Sequence, residues 1–122
     1  MAKATGVGGV FLRAKDQAAL VKWYSEVLGL EIGEGGYTVL RSSGGETLTW
    51  AIFPGDTDYF GSREQAVMVN YRVDDLDGML ERLRQAGAPV DDKIEEHEFG
   101  RFGWAVDPDG NRLELWQPPP GH

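Results

Sequence analysis

The sequence predicts an α+β domain made of two βαβββ modules, with a curled, mixed sheet of eight strands and two helices. Three observations predict it. First, one short phrase is written twice: Val10-Phe11-Leu12-Arg13-Ala14-Lys15-Asp16 and Val69-Asn70-Tyr71-Arg72-Val73-Asp74-Asp75 share Val, Arg and Asp in register. Second, each phrase opens an amphipathic helix pattern that stops at a glycine, Gly29 or Gly87. Third, short apolar stretches separated by turn formers follow each glycine, as further strands require.

The first strand is expected over residues 8–14, where Val10, Leu12 and Ala14 alternate with Gly9, Phe11 and Arg13. Asp16 offers a carboxylate cap to a helix whose apolar stripe is Leu20, Trp23, Tyr24, Val27 and Leu28, so Trp23 and Tyr24 are expected in the core. From Leu30 to Pro54 the text reads strand, turn, strand, turn, strand, with Gly35-Gly36 and Ser42-Ser43-Gly44-Gly45 as the turns. Residues 55–65 have no periodicity and form the linker, although Tyr59 and Phe60 are unusual there and suggest ligand or partner contacts.

The second copy repeats the plan. A strand is expected from Ala66 to Val73, then a helix capped by Asp74 or Asp75 with Leu76, Met79, Leu80 and Leu83 facing inward. Strands follow near Val90–Glu95, Arg101–Val106 and Arg112–Gln117, the last two joined by the turn Asp107-Pro108-Asp109-Gly110. The modules span about 7–54 and 66–117 of one domain covering residues 1–122. Strand-helix-strand order demands crossovers while the later strands can form hairpins, so the sheet must mix parallel and antiparallel pairs.

With 122 residues the chain can remove roughly two thirds of its unfolded surface from water. It has no cysteine, which excludes disulfides and thiolate metal sites and suits a reducing cytoplasm. No apolar run approaches the roughly 20 residues of a membrane span, and the first residues lack a signal peptide's apolar core. A net charge of -8 repels a phosphate backbone and so argues against nucleic acid. The same field favours a cationic small molecule, and is equally an ordinary route to solubility.

Trp23-Tyr24-Ser25-Glu26-Val27-Leu28-Gly29-Leu30, Tyr71-Arg72-Val73-Asp74-Asp75-Leu76-Asp77 and the stretch from Phe102 to Trp116 fall in order along nearly the whole chain. With the duplication, they make it resemble the vicinal oxygen chelate superfamily, the glyoxalase, bleomycin resistance and extradiol dioxygenase proteins. The resemblance implies a partly open barrel with its site on the concave side. It also implies a homodimer, and in many members a divalent metal held by one side chain from the first strand of each module and a carboxylate from the last.

On that pattern the first-strand ligand sits seven residues before the capping aspartate, which is Gly9 counting from Asp16 and Met68 counting from Asp75. The last-strand positions become Thr49 and Glu114. Gly9 has no ligand atom, Met68 offers a soft thioether and Thr49 a weak neutral oxygen, so Glu114 alone suits a first-row metal. A metal cofactor is therefore disfavoured. His97, in a β-turn-β segment, and His122, at a terminus where chains are commonly mobile, lie off the motif positions.

Period-two alternation assigns Val10, Leu12, Leu48, Trp50, Ile52, Val69, Tyr71, Leu113 and Leu115 to the helix-facing side. The opposite side collects Phe11, Arg13, Thr47, Thr49, Met68, Asn70, Arg72, Arg112, Glu114 and Trp116. Aromatic walls with a few polar groups are what small-ligand cavities use. Phe11, Arg13, Thr49, Met68, Asn70, Arg72, Trp104 and Trp116 are accordingly the candidate ligand-binding residues, with Phe102 and Trp104 facing either the cavity or a dimer contact.

Glu114 is the candidate catalytic residue. It either closes an internal ion pair with Arg13, Arg72 or Arg112, or takes a proton or hydrogen bond from a ligand. Two functions compete: a metal-free small-molecule binding protein of the drug-sequestering kind, and a lyase, isomerase or dioxygenase-type enzyme using Glu114 as metal ligand or general base. A structural or regulatory subunit with a filled cavity is a third reading.

Overall fold

The computed structural model describes residues 2–121, so His122 lies outside the described residues. The chain runs β1 (Ala4–Arg13), α1 (Gln17–Val27), β2 (Tyr37–Arg41), β3 (Thr47–Phe53), β4 (Val67–Val73), α2 (Leu76–Gln85), β5 (Glu95–His97), β6 (Gly100–Val106) and β7 (Arg112–Gln117). The α+β class and mixed strand pairing are as expected.

Seven strands form among the described residues, where eight were expected. The absent strand is the one after Gly29. There the Leu30 N–H returns to the Tyr24 carbonyl at 3.2 Å to finish the helix, and Gly33 and Gly36 are engaged by the turn into β2. A cap and a turn thus use up the backbone that a strand needed. In the second copy Val90 makes a single bridge to Ala105, and the strand begins only at Glu95.

Both helices start as expected. Asp16 and Asp75 sit in extended backbone and accept the N–H of Ala19 and Gly78, each at 3.1 Å. Gly29 and Gly87, at φ 74° and 86°, provide the left-handed residue that ends each helix.

The contacts divide the chain into a unit of Gly9–Met68 and a unit that joins the segment through Gly8 to everything from Val69 onward. The division therefore cuts β1 and β4, and residues 55–65 belong to the first unit. Within the first unit β3 runs parallel to β1, with Phe11 opposite Ala51, and antiparallel to β2, with Val39 opposite Thr49. Within the second, β7 runs parallel to β4 and antiparallel to β6, which carries β5 on its other side.

The helices differ in what they bury. In the second unit Leu76 and Leu80 of α2 pack with Val73 and Leu115, all nearly inaccessible, and Tyr71 and Leu113 flank them. In the first unit no residue of α1 is buried. Tyr24 sets its edge on Trp50 of β3 at 4.7 Å, but Trp23 is 50% exposed, and Val27 and Leu28 are more so. The expectation that Trp23 belongs to the core is thus corrected, since an apolar stripe names the face a helix would bury and not what covers it.

The turn feeding β7 is held by Asp107. Its carboxylate accepts the backbone N–H groups of Asn111 and Asp109 at 2.9 and 3.0 Å. These bonds, led by that of Asn111, hold the carboxyl below the ordinary aspartate value of 3.8.

Candidate functional site

The first unit holds three of the four positions that the family resemblance gives to metal ligands, Gly9, Met68 and Thr49. A Cβ on Gly9 would stand 3.0 Å from both the Phe11 ring and the Thr49 carbonyl, so the glycine is fitted to a filled space. Met68 is fully buried in an apolar cluster with Phe11, Ala51 and Phe60. Thr49 lines a cavity of about 500 Å³, together with Phe11, Phe53, Tyr59, Tyr37 and Gln17. Among the described residues no group of three or more His, Cys, Asp or Glu is placed to hold a metal ion.

That cavity is walled by aromatic rings. Phe53 and Tyr59 stack at 5.4 Å with planes 5° apart, and Phe11 tilts against Phe53 at 5.5 Å. Two of these positions follow from alternation along β1 and β3, because Phe11 and Phe53 share a face with Thr49 and Ala51. Tyr59 comes from the linker. Gln17 is held by its amide N–H₂, which donates to the Ile52 carbonyl at 2.7 Å.

Arg13 also faces this side of β1, but it does not present a free charge to a ligand. Its Nε donates to the carbonyl of Gln65 at 3.0 Å, Nη1 to those of Gly55 and Thr57 at 2.8 and 2.9 Å, and Nη2 to that of Ser62 at 3.0 Å. Below it lies the ring of Phe60, 5.1 Å from the guanidinium carbon and wholly buried. One side chain thereby fastens the linker at four points and seats Phe60 in the core. Arg13, expected among the ligand-binding residues, has a structural role in this unit, and Phe60, expected as a ligand or partner contact, lies in the core.

The second unit holds the remaining position. Glu114, 2% exposed, faces Asn70 across the β4–β7 register and Trp104 across the β6–β7 register. Asn70 Nδ2 donates to Glu114 Oε1 at 2.6 Å, and Trp104 Nε1 donates to Oε2 at 3.0 Å. Asn70 is itself buried, and its Oδ1 has no hydrogen-bond partner among the described residues.

The arginines expected around Glu114 are anchored by other groups as well. Arg72 lies over the Trp116 ring at 4.7 Å, and Arg112 pairs with Asp91 at 3.1 Å while lying over Trp104 at 5.5 Å. Trp116 donates its Nε1 hydrogen to the Phe99 carbonyl at 2.7 Å. A row of rings continues outward, since Phe102 stacks on Trp116 at 6.1 Å and His97 on Phe102 at 5.0 Å. His97 is exposed on β5, and its Nδ1 accepts the Phe99 N–H at 3.3 Å.

Gly8 fixes the floor beneath Asn70. A Cβ there would lie 2.5 Å from Asn70 Oδ1 and 2.7 Å from the Trp116 ring. Gly8→Ala is expected to cost about 2 kcal/mol, because the added methyl must displace two packed side chains. Urea unfolding measures this, and a loss below about 0.5 kcal/mol, the range of neutral surface changes, would contradict the packing described.

Of the predicted ligand residues, Phe11 and Thr49 line the cavity of the first unit and Met68 lies in its core. Asn70 and Trp104 hold Glu114, and Arg72 and Trp116 stack beside each other. Sequence reasoning missed Gln17 and Tyr37 as cavity residues. Gln17 reads as a helix surface residue in its first turn, and Tyr37 as an edge-strand aromatic, so neither carries a local signal.

Residues 6–115 match the model of the Glyoxalase/Bleomycin resistance protein/Dioxygenase superfamily. The fold is similar to that of methylmalonyl-CoA epimerase from Mycobacterium tuberculosis, with TM-score 0.69, 20% identity, and 96% of this chain and 90% of that one covered. It is also similar to a Streptomyces coelicolor methylmalonyl-CoA epimerase in complex with 2-nitronate-propionyl-CoA, with TM-score 0.70, 17% identity and 97% of each chain covered. A superfamily member from Vibrio splendidus 12B01 gives TM-score 0.59 at 16% identity, covering 91% of this chain and 97% of that one. No curated protein shows significant sequence similarity to the chain. At these identities the likeness establishes the fold.

Proposed function

The chain belongs to the glyoxalase, bleomycin resistance protein and dioxygenase superfamily, and from that membership we propose that it binds a small organic molecule without the help of a metal. The observation that carries this reading is the aromatic-walled cavity of about 500 Å³ in the Gly9–Met68 unit, a size typical of ligand pockets. The chemistry of the former metal positions supports it. A closed glycine, a thioether in an apolar core and a threonine beside aromatic rings do not fit a divalent ion, which asks for three protein ligands of harder character. The reading includes a cytoplasmic homodimer. The uncovered apolar residues Trp23, Val27 and Leu28 of α1 suit a protein interface, and the absence of cysteine suits a reducing compartment.

A second reading is an isomerase-type enzyme with Glu114 as the proton-transferring group, favoured by the epimerases that share the fold. The carboxylate is buried, and Asn70 and Trp104 orient it by donating to its two oxygens. Fold likeness alone does not choose between the two.

Calorimetric titration with a panel of aromatic small molecules, with and without chelator, tests the first reading. Binding that is indifferent to chelator is the expected result. Binding that disappears on chelation and returns with Mn²⁺ or Zn²⁺ would overturn it. Glu114-dependent deuterium uptake into an acyl-CoA ester in D₂O would replace it with the second.

A further inference from the structure

We infer that the cavity of the Gly9–Met68 unit selects an uncharged, flat aromatic molecule carrying one hydrogen-bonding substituent. The inference deepens the binding reading above and rests on it.

The walls decide the charge. The residues around the cavity include no Lys, Arg, Asp, Glu or His. Arg13, the cation on the same side of β1, has four of its donors directed at linker carbonyls and a ring beneath it. A charged ligand entering this space would give up water and gain no counter-ion, an unfavourable exchange whichever its sign. The chain's net charge of -8 acts at long range and speeds the approach of cations, but it supplies no partner inside the cavity.

The rings decide the shape. Phe53 and Tyr59 lie parallel within 5° and so present flat surfaces of one orientation, with Phe11 tilted by 52° against Phe53 to close one side. A planar aromatic ligand meets such walls by offset stacking and edge contact. The polar groups are few and neutral. Thr49 brings a hydroxyl, and Gln17, whose N–H₂ is fixed on Ile52, keeps its amide oxygen as an acceptor. One hydroxyl or amide on the ligand would match them.

The shallow groove next to the cavity does not reverse this preference. It shares Gln17 and Pro54 with the cavity and adds Lys15 and Arg63 against Asp16 and Asp56. Two charges of each sign leave it balanced, and Asp16 is already engaged in capping α1.

Three probes of one skeleton separate the possibilities at pH 7: 2-naphthylmethanol, 2-naphthylmethylammonium and 2-naphthoate. The alcohol is expected to bind at least about tenfold more tightly than either ion, a difference of ~1.4 kcal/mol set by uncompensated desolvation. Its titration should shift the NMR methyl signals of Ala51 and Ile52 in the unaltered protein. Thr49→Phe, which fills the space, should weaken the alcohol by a similar factor. Should either ion bind as well as the alcohol with the same methyls shifting, the ligand class is wrong and the binding reading survives. Should none of the three shift those methyls at millimolar concentration, the cavity is not a ligand site and both fall.

Discussion

Arg13→Ala is expected to destabilise the protein by ~3 kcal/mol and to open the linker to proteolysis. The wild-type guanidinium donates to the carbonyls of Gly55, Thr57, Ser62 and Gln65, all between 2.8 and 3.0 Å. Bonds from a charged donor each contribute about 1.5–3 kcal/mol, but these carbonyls lie near enough to solvent for water to replace part of that sum. The larger consequence is mechanical. Phe60, which the linker carries, is wholly buried with Phe11, Ala51 and Met68, and Arg13 lies over its ring.

Without the clamp, the linker should exchange between seated and open forms below the global unfolding free energy. Arg63 is the linker's only trypsin site, so its cleavage under native conditions reports this opening directly. The rate should rise at least about tenfold in Arg13→Ala, in line with ~1.4 kcal/mol of lost local stability. Arg13→Lys should recover less than half of the lost stability, since one ammonium cannot reproduce a planar fork that reaches four acceptors. An unchanged urea midpoint together with unchanged cleavage at Arg63 would show that the four bonds hold nothing together. Because Tyr59 belongs to the same linker and stacks on Phe53 in the cavity wall, the variant should also weaken whatever the cavity binds.

The clamp marks the limit of what the sequence could reveal. The two helices, their aspartate caps and their terminal glycines were legible, since each is fixed by a local rule. Strand sidedness was legible too. Alternation put Phe11 and Thr49 opposite Trp50 within the first unit, and Asn70, Arg72 and Glu114 opposite Tyr71 and Leu115 within the second, and the registers and packing inside each unit agree. The partners of Arg13 were not legible, because they are backbone carbonyls of a segment without periodicity, and every residue has a carbonyl. The strand expected after Gly29 was lost for a related reason. Leu30 and Ile32 have the apolar character of a strand, yet the cap and turn on either side compete for the same backbone groups. The donors on Glu114 needed the registers of β7 with both β4 and β6, which couple residues 44 and 10 positions apart. Arginine was the natural expectation for a buried carboxylate, and the asparagine and tryptophan that donate to it carry no local signal of that role.

Glu114→Ala is expected to cost about 4 kcal/mol, the other large effect in the molecule, whereas Glu114→Gln should cost less than half as much. Truncation leaves the Asn70 amide and the Trp104 indole N–H as buried donors without their acceptor, in a site that water reaches poorly, and it opens a void where a carboxylate stood. Glutamine keeps the volume but presents one oxygen and one N–H₂. Its oxygen can still accept from Trp104, which puts the N–H₂ against Asn70 Nδ2, donor against donor. Asn70 resolves the conflict by turning its amide, because Oδ1, which has no partner among the described residues, then becomes the acceptor. The turn brings Nδ2 toward Gly8 and the Trp116 ring, and that crowding is the cost that remains. Combining Glu114→Gln with Asn70→Ala therefore should not add. A double-mutant cycle should return a coupling above about 1 kcal/mol, as neighbours that share a hydrogen bond do. Urea unfolding of the two single variants, Glu114→Ala and the double variant decides the matter. A Glu114→Gln loss as large as that of Glu114→Ala would show that the negative charge, and not the geometry of the Asn70 and Trp104 bonds, is what this site requires.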